Sequence, residues 1–99
     1  MATGVLGGSD LVDIHVGRKL RALRRERQLA QSVLGEAIGV TFQQIQKYEK
    51  GANRVSASML YAIARRMAVP LTAFFEGLPD PALGIPIQPP NSARGGLRN

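Results

Sequence analysis

One stretch of the chain, residues 31–50, constrains everything around it: Gln-Ser-Val-Leu-Gly-Glu-Ala-Ile-Gly-Val-Thr-Phe-Gln-Gln-Ile-Gln-Lys-Tyr-Glu-Lys. It reads as two short helices with a tight corner between them. Leu34, Ala37 and Ile38 give the first an apolar face. Gly39 stops it, because the residue just past a helix end often needs positive φ, which costs glycine nothing. Thr41 then serves as N-cap of the second helix, and Gln44 stands three residues on, the spacing of a capping box. Gly35 leaves the first helix nearly bare where the second must cross it.

At about 100° per residue, Ile45 and Tyr48 share one face of the second helix with Thr41 above them. Gln43, Lys47 and Lys50 fall on the opposite face, flanked by Gln44 and Gln46. An amide-and-lysine face on a short helix braced by another is the helix-turn-helix design.

The remainder supplies the bracing. Asp10 or Asp13 caps a first helix running to about Arg27, with Val16, Leu20 and Leu23 as its buried stripe. Gly17 interrupts it at a cost of about 1 kcal/mol against alanine; it reads equally as a close packing contact or a tolerated glycine. Arg18, Arg21 and Arg25 point outward, Arg24 sits at the border of the stripe, and His15, the single histidine, falls on the outer side. After the polar connection 51–54, Ser56 caps another helix with Leu60, Ile63, Ala64 and Met67 inward and Met59 as a further core filler. Val69-Pro70 ends it. Pro70 then suits the first turn of a fifth, short helix carrying Leu71, Phe74 and Phe75 and closed by Gly77. Those three apolar residues either pair two copies of the chain or close the core.

Residues 1–9 are glycine-rich and small, a flexible N-terminus. From residue 78 the prolines at 79, 81, 86, 89 and 90 erase any period, so 78–99 reads as a linker or disordered tail. Arg94 and Arg98 lie within it. Its Leu83, Ile85 and Ile87 would permit folding on a protein partner.

The whole chain has 99 residues, one domain's worth, with no tryptophan and no alternating strand pattern, so an all-α bundle fits best. No cysteine is present, which excludes disulfides and thiolate metal sites and suits a reducing cytoplasm. No apolar run approaches a membrane span, and the N-terminus lacks the basic and apolar regions of a signal peptide. One histidine, no phosphate-cradling loop and no clustered carboxylates give an enzyme little support, and nothing calls for a cofactor. The net charge of +6 favours a polyanionic partner. It is crowded into Arg18, Lys19, Arg21, Arg24, Arg25 and Arg27, whereas 31–50 is formally neutral. That division matches a reading helix of amides inside a rim of phosphate-binding cations.

The order Gln31, Leu34, Gly35, Gly39, Val40, Ile45, Tyr48 resembles the phage-repressor/Cro-like (XRE) family of helix-turn-helix regulators. The likeness extends to Val16-Gly17, to residues 20–24, to Tyr48-Glu49-Lys50-Gly51 and to the helix ending Met67-Ala68-Val69-Pro70, about two-thirds of the chain. Ala30 departs from it, standing where the family usually has a Ser or Thr N-cap, a loss of about 1 kcal/mol. The resemblance implies a five-helix, lambda-repressor-like DNA-binding domain over 10–77, with the motif at 31–50 and a disordered C-terminal tail. It implies a transcriptional regulator, such as a repressor, binding double-stranded DNA as a homodimer on an inverted repeat. Antitoxins and adaptors use the same fold, so a module whose main role is holding a protein partner is the alternative.

Carried onto these residues, the resemblance places base contacts on the reading helix. Gln43 is the foremost, because an amide can bond adenine N6 and N7 together. Lys47 reaches guanine or a phosphate; Gln44 either caps Thr41 or reads a base; Gln46, at the edge, suits either job. Phe42 meets a thymine methyl or a neighbouring helix. Phosphate contacts fall to Gln31, at a helix N-terminus whose free amides favour anions, and to Lys50, Asn53 and Arg54. Arg24 and Glu49, at the borders of buried faces, resemble the family's internal ion pair and are assigned to structure.

Overall fold

The computed structural model describes residues 10–89; the flexible terminus expected for 1–9 and the tail residues 90–99, with Arg94 and Arg98, lie outside the described residues. Four α-helices follow in order: α1 Leu11–Glu26, α2 Gln31–Ile38, α3 Phe42–Glu49 and α4 Ala57–Met67. Among the described residues a 3₁₀ turn, Leu71–Phe74, comes after them. Each element sends one side chain to a common centre. Leu20, Leu34, Ile45, Ile63 and Phe74 are all fully buried, so no element can leave without opening the core. Val16, Tyr48, Ala64 and Met67 complete it, with Leu23, Ile38 and Leu60 half-buried at its margin. Ala37, expected on the buried face of α2, is exposed.

Local chemistry explains where the helices begin. Asp10 caps α1, its carboxylate accepting from the Val12 N–H at 2.7 Å. Thr41 Oγ1 accepts from the Gln44 N–H at 3.1 Å, and Ser56 Oγ does the same for Met59 at 3.1 Å. The return bond from the Gln44 side chain is not made among the described residues, which frees that amide from the capping role. α2 starts at Ala30 with no side-chain cap and stops at Gly39, whose φ of 84° is left-handed. α4 also ends left-handed, at Ala68 with φ 57°. A non-glycine residue pays about 1–2 kcal/mol for that conformation, and glycine recovers less than this in unfolded-state entropy. Ala68→Gly should therefore raise stability by about 0.5–1 kcal/mol and Tm by a few degrees. A calorimetric scan showing a lower Tm would count against this account.

The fifth helix is not there. Leu71–Phe74 is a 3₁₀ element, bounded by the bonds Ala73 N–H to Pro70 O at 3.0 Å and Phe75 N–H to Thr72 O at 2.9 Å. The neighbours Ala73 and Phe74 both turn inward while Leu71 stays 44% exposed. A helix stripe would have buried 71, 74 and 75 together. Phe74 is drawn into the core by packing, and a four-residue element has too few bonds to hold α geometry against that pull.

The expected disordered tail is also corrected over 78–89. Gly77, at φ 92°, turns the chain into a small hairpin. Ile87 N–H bonds Leu78 O at 2.8 Å and Asp80 N–H bonds Ile85 O at 2.7 Å, with Pro79 bridged to Pro86 between them. The two prolines form the pair whose N–H groups the ladder does not use, so they cost it nothing. Asp80 folds the tip by accepting from Ala82 and Leu83 N–H at 2.8 and 3.1 Å.

Candidate nucleic-acid interface

Two glycines set α3 in place. A Cβ on Gly35 would lie 2.6 Å from the Val40 carbonyl, so only glycine lets α2 turn this sharply into α3. A Cβ on Gly17 would collide with the Tyr48 carbonyl and lie 2.8 Å from that of Glu49. Of the two readings of Gly17, close packing is the one observed: α1 rests directly on the backbone at the end of α3.

A buried polar network then locks the three helices together. Arg24 Nε donates to Glu49 Oε2 at 2.5 Å, and Nη2 donates to Oε1 at 3.1 Å. The two side chains are 11% and 4% exposed. Arg24 Nη1 also donates to Leu29 O at 2.8 Å, and Gln31 Nε2 donates to Glu49 Oε1 at 3.0 Å. Glu49 thus binds the end of α1 and the start of α2 from the last turn of α3. Such a bidentate arrangement fixes direction as well as distance.

What this leaves outward is a short row of polar side chains. Gln43 and Lys47 are exposed on α3, with Gln44 and Gln46 half-buried beside them. Phe42 is 44% exposed. Lys50 is exposed at the helix end and Asn53 half-buried in the connection after it.

Two of the expected phosphate contacts have other partners. Gln31 spends an amide N–H on Glu49, as above. Arg54 Nε lies 3.0 Å from Asp13 Oδ2. The hydrogen bond and charge of Asp13 hold the Arg54 guanidinium pKa above its ordinary value. Asp13 is therefore the counter-ion of Arg54 rather than the cap of α1. Arg27 Nε donates to the Met67 carbonyl at 2.7 Å, closing the end of α4. His15, expected outward, shares a hydrogen bond of 2.8 Å with the Glu76 carbonyl. These contacts span 61 residues in the case of His15 and 41 in that of Arg54. No local spacing signals them.

The comparisons agree with this architecture. The family profile described as helix-turn-helix matches residues 20–74, more than half of the chain. An uncharacterized HTH-type transcriptional regulator of Sinorhizobium fredii is 51% identical over 85 residues, covering 86% of this chain and 59% of the relative. The chain thus spans about three-fifths of that relative's length. Among solved structures, the clp gene regulator ClgR from Corynebacterium glutamicum superposes with TM-score 0.63 at 22% identity, over 65% of this chain and 83% of that one. Hydroxypropylphosphonic acid epoxidase from S. wedmorenis matches too, with TM-score 0.59 at 17% identity, over 63% of this chain and 33% of the epoxidase. The fold therefore occurs inside an enzyme as well as in regulators, and fold alone does not name the activity. Taken with the profile match and the curated relative, the motif and its bracing place this chain in the phage-repressor/Cro-like (XRE) helix-turn-helix family.

Proposed function

We propose that the chain is a sequence-specific, double-stranded-DNA-binding transcriptional regulator that lays α3 in the major groove. The observation that carries this is the amide-and-lysine face of α3. Gln43 and Lys47 are exposed and serve no core role, yet the helix bearing them is held by a buried ion pair and two backbone-to-backbone contacts. Side chains carried on so firmly held an element are positioned more precisely than they would be on a loop, as a reading face requires. In this reading Gln43 and Lys47 contact bases, joined by Gln44, Gln46 and Phe42, while Lys50 and Asn53 hold phosphates with the amides of α2. Arg54 contributes less than Lys50, because Asp13 already offsets its charge. The protein acts by binding and not by catalysis, from the cytoplasm, and pairs as a homodimer on an inverted repeat. Phe74 is consumed by the core, which leaves Leu71 as the exposed member of the apolar trio expected to join two copies. No observation favours the antitoxin or adaptor reading. The stretch it would use folds back on itself as far as the hairpin extends.

Selection of bound sequences from random duplex DNA tests the whole reading and should return two half-sites related by a dyad. On the selected site, Gln43→Ala should lose about 1–3 kcal/mol at one base position and relax preference there. Lys50→Ala should weaken all sequences alike and lower the slope of log affinity against log salt by about one unit. If Gln43→Ala weakens every sequence equally while Lys50→Ala alters base preference, α3 does not dock this way.

A further inference from the structure

The structure divides the cations of α1 that sequence alone leaves as one crowd. Arg24 is spent on Glu49, Arg27 on Met67 O and Glu26, and Lys19 lies 3.6 Å from Glu76. Arg18, Arg21 and Arg25 are exposed and, among the described residues, none has a carboxylate within ion-pair distance. They stand at i, i+3 and i+7, on one face of the helix. Like charges so spaced cost about 0.2–0.5 kcal/mol per neighbouring pair, so the stripe weakens the isolated domain slightly. Helix-end electrostatics gives a structural reason for Arg25, in the last turn of α1, and for Lys50, at the end of α3. It gives none for Arg18 and Arg21, which lie well inside α1.

These residues line one concave strip. Arg18, Arg21, Arg25 and Lys50 wall a groove between α1 and the end of α3. A second hollow, lined by Arg21, Gln31, Gln46, Glu49 and Lys50, adjoins it through the shared Arg21, Glu49 and Lys50. Gln46 and Gln31 belong to the edge of the reading surface, so the cationic groove continues that surface around the C-terminal end of α3. Glu49 forms part of the floor, but its carboxylate is neutralised by Arg24 and bonded by Gln31. Four cations thus border one groove with no uncompensated anion in it.

We infer that this groove is a second backbone-binding site for duplex DNA, in which Arg18 and Arg21, with Arg25 and Lys50, grip the phosphates of the strand that passes the C-terminal end of α3. It rests on the docking of α3 proposed above and extends it to residues outside the motif and its flanking loop. Guanidinium groups suit the task, since their planar donors match phosphate oxygens in pairs. Their contribution is independent of base sequence and sensitive to salt.

The test uses the full chain, the double variant Arg18→Gln/Arg21→Gln, and Gln43→Ala as the reading control. Both arginines are exposed and, among the described residues, without an ion-pair partner, so the double variant should melt no lower than the wild type and, with two like-charge pairs removed, slightly higher. Binding is measured to the selected duplex, to an unrelated duplex and to single-stranded RNA of equal length, between 50 and 200 mM salt. The double variant should lose about two units of salt slope on both duplexes, so that the wild type's advantage shrinks about tenfold across that salt range. Its base preference should stay intact, whereas Gln43→Ala should lose preference and keep its slope. A double variant with the wild-type slope on duplex DNA overturns the site. So does a deficit confined to single-stranded RNA, which would assign the groove to a different polymer. A wild-type protein with no base preference would defeat the reading role of α3, while the salt slope of the double variant would still decide the groove separately.

Discussion

Glu49→Ala should destabilise this domain by about 3 kcal/mol, and Arg24→Ala by a similar amount. Removing Glu49 strands the Arg24 guanidinium at 11% exposure and takes the acceptor from the Gln31 amide. Removing Arg24 leaves a carboxylate that is 4% exposed with only that amide beside it. In both variants the larger part of the loss is the uncompensated buried charge, not the missing attraction. The double variant has no charge to strand, so it should cost clearly less than the two singles together. Losses of this size correspond to roughly 12–24 °C in Tm for a domain of this length, and would consume much of the about 5–15 kcal/mol that such domains possess. Urea and thermal unfolding across the four-member cycle decide the matter. Strict additivity would show that the two groups do not act as a pair.

The second large effect is expected at Gly17. In an ordinary helix interior, glycine to alanine stabilises by about 1 kcal/mol. Here the new methyl group meets two carbonyl oxygens at the end of α3, those of Tyr48 and Glu49. They are backbone atoms, so no rotamer change can clear the space. α1 must move off α3, and forcing atoms into a packed site typically costs about 1–3 kcal/mol. Gly17→Ala should thus invert the usual sign and lower Tm. Because the carbonyls that move belong to the helix bearing Gln43 and Lys47, DNA affinity should fall even at temperatures where the variant is folded. A variant that melts higher than the wild type would mean that α1 and α3 can separate freely.

Much of this arrangement is local, and local features are visible in sequence. Thr41 and Ser56 cap because a hydroxyl one residue before a helix reaches its own free amides. Gly39 takes a left-handed conformation that other residues resist. The wheel of α3 turned Ile45 and Tyr48 inward and Gln43 and Lys47 outward because a helical period of 3.6 leaves one solution when the apolar residues must be buried. The same logic located four α-helices, although it left the start of α1 open between Asp10 and Asp13.

It failed where an outcome depended on residues far along the chain. Phe74 is drawn to the centre by α1 and α4, and this reduced an expected helix to one turn. The prolines at 79 and 86 look like breakers until the two segments are bridged, when both prove to sit where no N–H is required. Gly17 could be settled only once α3 lay across it. The cations show the division most plainly. The sequence determined that the chain is basic, +6 overall, with five of its cations in α1. The Arg24–Glu49 pair was legible through the family resemblance; which other charges stay available was decided by the tertiary structure, since Asp13, Glu76 and the Met67 carbonyl reach Arg54, Lys19 and Arg27 only after folding. A side chain's direction is set by its own helix, but its partner is set by whichever helix packs against it.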